Sequence, residues 1–118
     1  MISMREAYEK IGANYDDARA RLMGEEMLAR FALKFLDDES MDKLEAAMAA
    51  GDAESAFMAA HTLKGVSQNL GFDNLYEPAV VVTEALRGAD AVDGAREGMH
   101  ALQQQYAATM SALREAAE

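Results

Sequence analysis

The chain of 118 residues contains no cysteine, no tryptophan and a single proline, and its aromatics are four phenylalanines and four tyrosines. Without cysteine, disulfides, thiol catalysis and Cys-ligated zinc are all excluded. Few β-branched and aromatic side chains, set against abundant alanine and nine methionines, favour helix over sheet. Positive charge is also scarce. Eleven Lys and Arg face 21 Asp and Glu, for a net charge of −10, and the basic residues are scattered. The electrostatic footprint of a nucleic-acid binder is missing, and an anionic membrane surface would repel the chain. No apolar run approaches the roughly 18 residues of a transmembrane helix. Arg5, Glu6, Glu9 and Lys10 interrupt the first residues, so they lack the pattern of a signal peptide. A cytoplasmic protein is expected, with neither nucleic acid nor membrane as partner. The length suits one domain over 1–118, and an apolar share of 51% is enough to bury a core.

What is present reads as a series of helices. Ser3-Met4-Arg5-Glu6 has the form of a capping box opening a short helix that Gly12 closes. Asp16 is the expected cap of a second short helix ending near Gly24. Residues 25–38 carry Leu28, Phe31, Phe35 and Leu36 at helical spacing. Ser40 is the expected cap of a helix with Met41, Leu44, Ala47 and Met48 on one face, ended by Gly51. Asp52 caps the next helix, which runs to Leu70 and stops at Gly71. Residues 74–87 are helical again. Because Pro is tolerated in a first turn and not deeper, Pro78 predicts a regular start at Tyr76 or Glu77. Asp90 opens the last helix, 90–117, whose stripe is Ala95, Met99, Leu102, Tyr106, Met110 and Leu113. Gly94 and Gly98 weaken its first half. The expected fold is all-α: an antiparallel four-helix bundle with additional short N-terminal helices. Its members are 40–50, 52–70, 74–87 and 90–117, with 25–38 packed across one side near 52–70.

Chemistry concentrates on the 52–70 helix. On a wheel of about 100° per residue, Ala56, Ala59, Leu63, Val66 and Leu70 form the core face, flanked by the small Ala60 and Ser67. Glu54, Phe57, Met58, His61, Lys64, Gly65 and Gln68 fall opposite. His61, Lys64, Gly65 and Gln68 stand at i, i+3, i+4 and i+7, on one face. A neutral imidazole is a nucleophile near pH 7 and can take an activated phosphoryl group. Lys64, one turn on, would offset the phosphoryl charge. Phosphoryl transfer asks a protein mainly for positioning and charge stabilisation. Gly65 costs about 0.5–1 kcal/mol against Ala in mid-helix, and its bare backbone would admit a partner. Gln68 offers a hydrogen bond. Phe57 and Met58 put apolar area beside the histidine, as a docking surface would. Each feature has a plainer explanation: a surface histidine, an ordinary lysine, a glycine for close packing, a Phe57 packed under 25–38. Together those explanations would be independent coincidences on one non-core face.

The string Ala59-Ala60-His61-Thr62-Leu63-Lys64-Gly65-Val66-Ser67-Gln68-Asn69-Leu70-Gly71 resembles the signature of histidine-containing phosphotransfer (HPt) domains, AHTLKG followed by a Leu-Gly helix end. Phe31 to Asp38 is similar to the family's Phe-rich helix, and Leu44 to Asp52 to its short helix and Gly-Asp turn. The resemblance covers most of 15–88, and the last helix fits as the closing bundle member. One departure stands in the following helix, where Val82-Thr83-Glu84-Ala85-Leu86 replaces the usual Leu-Glu pair. The resemblance implies His61 as phosphoacceptor through Nε2, with Lys64 steadying the phosphoryl group, Gly65 leaving room and Gln68 as polar neighbour. Phe57, Met58, Lys64 and Gly65 would meet the partner. That partner would be a receiver domain of a response regulator or hybrid histidine kinase, exchanging phosphoryl groups through its aspartate in a two-component phosphorelay. No cofactor is implied for this chain, and Mg²⁺ would belong to the receiver.

Other classes fit less well. A kinase needs a nucleotide site, and no glycine-rich phosphate loop occurs; a stand-alone carrier without catalysis of its own is expected. A di-metal bundle needs two Glu-x-x-His motifs facing inward. Glu97-Gly98-Met99-His100 supplies one, but Met99 falls on the core stripe, and Met58 stands where His61 would need its glutamate. His100 is expected at the surface. A non-phosphorylated adaptor that binds receivers is the alternative. Because the stripe of the last helix is needed within its own bundle, a monomer is expected; light scattering at micromolar concentration should give the mass of one chain, and a clean dimer mass would refute this.

Overall fold

The structure, a computed structural model, describes residues 1–117, and these contain helices and no strand. The α-helices are α1 (Met4–Ile11), α2 (Tyr15–Arg21), α3 (Glu25–Lys34), α4 (Ser40–Ala50), α5 (Ala53–Asn69), α6 (Asp73–Leu86) and α7 (Arg96–Ala117). Short 3₁₀ turns follow α3 at Phe35–Asp37 and precede α7 at Asp93–Ala95.

Several helix ends follow the sequence signals. Ser3 and Glu6 form the reciprocal capping box, with Ser3 Oγ accepting from the Glu6 N–H at 3.0 Å. Gly12 and Gly51 end α1 and α4 in the left-handed conformation, which costs glycine nothing sterically. Asp52 Oδ1 accepts the Ser55 N–H at 3.1 Å and opens α5.

Four boundaries differ from expectation. The cap of α2 is Asn14, whose Oδ1 accepts the Asp17 N–H at 3.0 Å, and Asp16 lies inside the first turn. Ser40 is likewise not a cap but the buried first residue of α4: Glu39 stands at the cap position without a side-chain cap bond, and Asp38, one residue earlier, accepts the Ser40 N–H on Oδ2 at 2.9 Å. The helix drawn over 25–38 therefore tightens into 3₁₀ at Phe35 and ends where Asp38 turns extended. In α6, Pro78 is internal, because the helix already starts at Asp73. The Leu75 and Tyr76 N–H groups bond the Phe72 carbonyl at 3.0 and 2.8 Å. The Asn74 amide ties that turn to Gln105 and Thr109 on α7, both at 3.0 Å. So near the start, losing one N–H costs a single ladder bond. Finally, Asp90 does not open α7, which begins at Arg96 after the 3₁₀ turn containing Gly94. Buried Val92 and Ala95 anchor that approach.

Helices α4, α5, α6 and α7 pack in sequence as antiparallel neighbours, as short connections demand. Gln103 on α7 reaches Glu45 on α4 at 3.0 Å and links the last member to the first. Leu44, Leu63, Leu75, Leu86, Leu102 and Leu113 fill the interior, each contributing about 1.5–3 kcal/mol by leaving water. Gly98 lets α6 and α7 close up: a Cβ there would meet Val82 Cγ2 at 3.3 Å. Val82, Thr83 and Leu86, within the segment that departs from the family pattern, are all buried, and the Thr83 hydroxyl donates to the Ala79 carbonyl at 2.7 Å. The placement of 25–38 is corrected. The close backbone neighbours of α3 are α2 and α7, not α5, because Phe35 is drawn into an aromatic cluster at one end of the bundle, 5.4 Å from Phe72 and 6.0 Å from Tyr106 between centroids.

The short N-terminal helices close that end. Helix α1 lies along α7, joined by the Lys10–Glu115 ion pair at 2.8 Å. Tyr8 is fully buried against Tyr15 and Phe72, with centroids 5.5 and 5.3 Å away. Its hydroxyl donates to the Leu70 carbonyl at 2.6 Å. Burial pushes the Tyr8 hydroxyl well above the usual tyrosine range. Burial also raises Tyr15 and Tyr106, with nearby carboxylates adding to it. The fold thus holds neutral phenols that the unfolded chain ionises near pH 10. Stability from this source is complete below about pH 10 and is lost as pH rises above it. Tyr8→Phe should lower urea-unfolding stability at neutral pH by about 1–2 kcal/mol, because the Leu70 carbonyl loses its buried donor, and should soften the alkaline decline. An unchanged urea midpoint would refute the role given to this bond.

Candidate functional site

Helix α5 presents two faces. Ala56, Ala60, Leu63 and Ser67 are fully buried, and Ala53, Ala59 and Leu70 nearly so. Val66 is only half-buried, so the core face is centred slightly away from where the wheel put it. The start of α5 is fixed by Asp52. Hydrogen bonds from the Ser55 hydroxyl at 2.7 Å and from the Ser55 N–H hold its carboxyl below the usual range.

On the outer face His61 is exposed and Lys64 half-exposed. One helical turn separates them, a rise of about 4.5 Å. The imidazole stacks on Phe57, one turn before it, with centroids 5.9 Å apart and planes 17° from parallel. Phe57 is half-buried. Its ring lies under the Arg87 guanidinium, 5.1 Å from centroid to carbon, so the end of α6 is a cross-helix neighbour of Phe57. Arg87 is in turn held by Glu84 at 2.8 Å. Met58 is 58% exposed and turns the other way. With Thr62, Ala59 and Ala47 it lines an open groove of about 650 Å³ between α4 and α5. The two apolar residues expected to dock a partner therefore lie on either side of His61.

Gly65 is exposed, and a Cβ built on it would meet nothing within 4 Å. The glycine is thus not required for packing within the chain, and the space above it is open to a visitor. Gly65, Gln68, Asn69 and Arg21 line a depression of about 310 Å³. Gln68 stands two turns from His61, about 10 Å along the axis. What the structure brings to it is Arg21, whose guanidinium donates to the Gln68 backbone carbonyl and pairs with Asp17 at 2.7 Å. The sequence reading missed both Arg21 and Arg87. They reach the face of α5 from α2 and from the end of α6, and no spacing along the chain announces such contacts.

The other candidate metal motif does not assemble. Glu97 and His100 are exposed while Met99 is buried, and no group of three His, Cys, Asp or Glu among the described residues is placed to hold a metal ion. No helix among these residues is long and apolar enough to cross a membrane.

An exposed histidine with a lysine one turn on and an open glycine beside it, on the second helix of a four-helix bundle, defines a recognisable class. The family model of the Hpt domain matches residues 26–116, and the chain belongs to that family. Hpt domains carry phosphoryl groups in two-component phosphotransfer, and receiver domains are their general partners. No curated protein and no solved structure matches the chain significantly.

Two glycines separate the two reasons for having one. Gly65→Ala should raise stability by about 0.5–1 kcal/mol, since a methyl group there meets open space and helix propensity improves. Gly71 has φ +70°, and a Cβ there would lie 2.6 Å from the Asn14 carbonyl oxygen. Gly71→Ala should cost at least about 1–2 kcal/mol from the left-handed backbone alone, with the clash added. Urea unfolding of both variants checks the pair; a loss at Gly65 equal to that at Gly71 would show that Gly65 is a packing residue after all.

Proposed function

We propose that this protein is a phosphoryl carrier on His61 in a two-component phosphorelay, exchanging the group with the aspartate of a receiver domain. The observation that carries the reading is the outer face of α5, where an exposed imidazole has Lys64 one turn away and open space over Gly65. The Nε2 lone pair attacks the phosphorus of the receiver's aspartyl phosphate. A nitrogen–phosphorus bond forms as the acyl phosphorus–oxygen bond breaks, its electron pair returning to the aspartate carboxylate. The hydrogen on the other ring nitrogen passes to solvent. Lys64 offsets the charge of the incoming phosphoryl group. Gly65 leaves room for the partner's backbone, with Gln68 on its far side. The reverse sequence returns the group to a receiver. The carrier needs no cofactor of its own, the Mg²⁺ belonging to the receiver, and works as a cytoplasmic monomer. Residues 1–118 act as one unit in this reading, since α1 and α2 pack on the bundle.

The test is transfer from a phosphorylated receiver domain to the purified protein, with His61→Gln as control. Acid-labile, alkali-stable phosphate is expected on the wild type and none on the control. Receiver binding without label would favour a non-phosphorylated adaptor; neither binding nor label would refute both. Lys64→Ala should slow transfer about tenfold, equivalent to about 1.4 kcal/mol, with an unchanged urea midpoint. A shifted midpoint would mean that Lys64 supports the fold.

A further inference from the structure

Histidine exposed on a helix ordinarily has a poorly determined ring plane, because the torsion about its Cβ–Cγ bond is broad and roughly two-fold. His61 differs. Phe57 stands four residues earlier on the same face, and the two rings are offset-stacked at 5.9 Å with a 17° interplanar angle, within the range where aromatic pairs attract. A flat neighbour of that kind selects one plane for the imidazole. Phe57 is itself constrained. It is half-buried, and the Arg87 guanidinium lies over its ring at 5.1 Å. Arg87 is the residue at which α6 ends, and Glu84, one turn back, holds it by an ion pair at 2.8 Å. A chain of contacts thus runs from α6 to the imidazole: Glu84, Arg87, Phe57, His61.

We propose that Phe57, clasped by Arg87, is a positioning residue that fixes the imidazole plane of His61 for attack on phosphorus. This rests on the carrier reading above and reassigns Phe57, whose type and place also suit partner docking. Two observations favour positioning. The ring is already engaged by His61 and Arg87, which leaves little of it for a visitor, and the freer apolar group on this surface is Met58. Orientation matters because attack needs the nitrogen lone pair aimed at phosphorus. Glu84 and Arg87 are both more than half exposed, so their pair contributes little to stability. Its effect lies in where Arg87 sits.

The experiment separates orientation from docking by using a small donor. Phosphoramidate phosphorylates an accessible imidazole with no partner protein: the ring nitrogen bonds phosphorus as the donor's nitrogen–phosphorus bond breaks and ammonia leaves with the electron pair. Phe57→Leu keeps the apolar bulk without the ring, Phe57→Tyr restores the ring, and Arg87→Gln removes the clasp. The His61 ring protons of the unphosphorylated protein are followed by NMR, and labelling rates by phosphoramidate and by a receiver are measured. The wild type and Phe57→Tyr should show the upfield ring-current shift of a stacked imidazole, and Phe57→Leu should lose it. Phe57→Leu should label about threefold to tenfold more slowly with phosphoramidate, the range a stacking contact supports, and Phe57→Tyr at the wild-type rate. Arg87→Gln should give a smaller change in the same direction. Unaltered His61 shifts in Phe57→Leu would overturn the proposal. So would a wild-type phosphoramidate rate alongside slowed receiver transfer, which would make Phe57 a docking residue. A wild type that stays unlabelled by both donors while showing the shifted ring protons would overturn the carrier reading and leave the stack standing.

Discussion

Where α5 turns into α6, the backbone of Asn14 passes so close to residue 71 that a side chain there would stand 2.6 Å from its carbonyl oxygen. Much of the molecule is arranged around that approach. The Asn14 N–H donates to the Gly71 carbonyl at 2.8 Å, Tyr8 donates to Leu70, and Arg21 donates to Gln68. Tyr8 in α1, Asn14 just ahead of α2 and Arg21 at the end of α2 thereby satisfy carbonyls at and just beyond the C-terminal end of α5, where a helix runs out of its own donors. Phe72, next along, is fully buried and lies against Tyr8 and Phe35. The end of the helix that carries His61 is thus held by hydrogen bonds from one side and by aromatic packing from the other. Its beginning is held by Asp52. A helix fixed at both ends can present an exposed face in one register without using that face for packing.

Three cationic side chains stand on or beside that face. The protein as a whole is at −10, a field that would oppose an incoming phosphoryl group. Lys64 lies within the face, Arg87 over Phe57 at one end, and Arg21 beside Gln68 at the other. Both arginines are tied to carboxylates, Glu84 and Asp17. These pairs are exposed and weak as stabilisers, yet they settle where two of the protein's eleven cationic side chains stand. Among the described residues no carboxylate pairs with Lys64, which stands one turn from the imidazole.

Much of this was legible in the sequence. The capping box at Ser3, the glycine stops at Gly12 and Gly51, the Asp52 cap and the division of α5 into a core face and an outer face rest on local rules, and local rules hold where both partners lie within one turn. The misplacements share a cause. Asn14 displaces Asp16, and Glu39 stands at the cap position expected for Ser40, because several polar residues cluster near each start and the backbone selects the one whose conformation precedes the first turn. Pro78 fails to delay α6 because Phe72 and Asn74 are fixed by the far side of the bundle, a tertiary effect invisible to propensity. The 25–38 segment was assigned to the wrong neighbour since its apolar stripe says that it is covered, not by what. Arg21 and Arg87 were missed for the same reason: their importance comes from what lies across from them.

The Hpt match begins at residue 26, after α2 has ended. By the measure of family likeness, the first 25 residues are an accessory. By the measure of contacts, they are a fitting, since Tyr8, Asn14 and Arg21 all close on the last turn of α5. Boundaries drawn by resemblance and boundaries drawn by cohesion therefore fall in different places in this chain. A transplant of the matched segment into another protein would move every residue of the outer face and yet leave behind the donors that finish its helix.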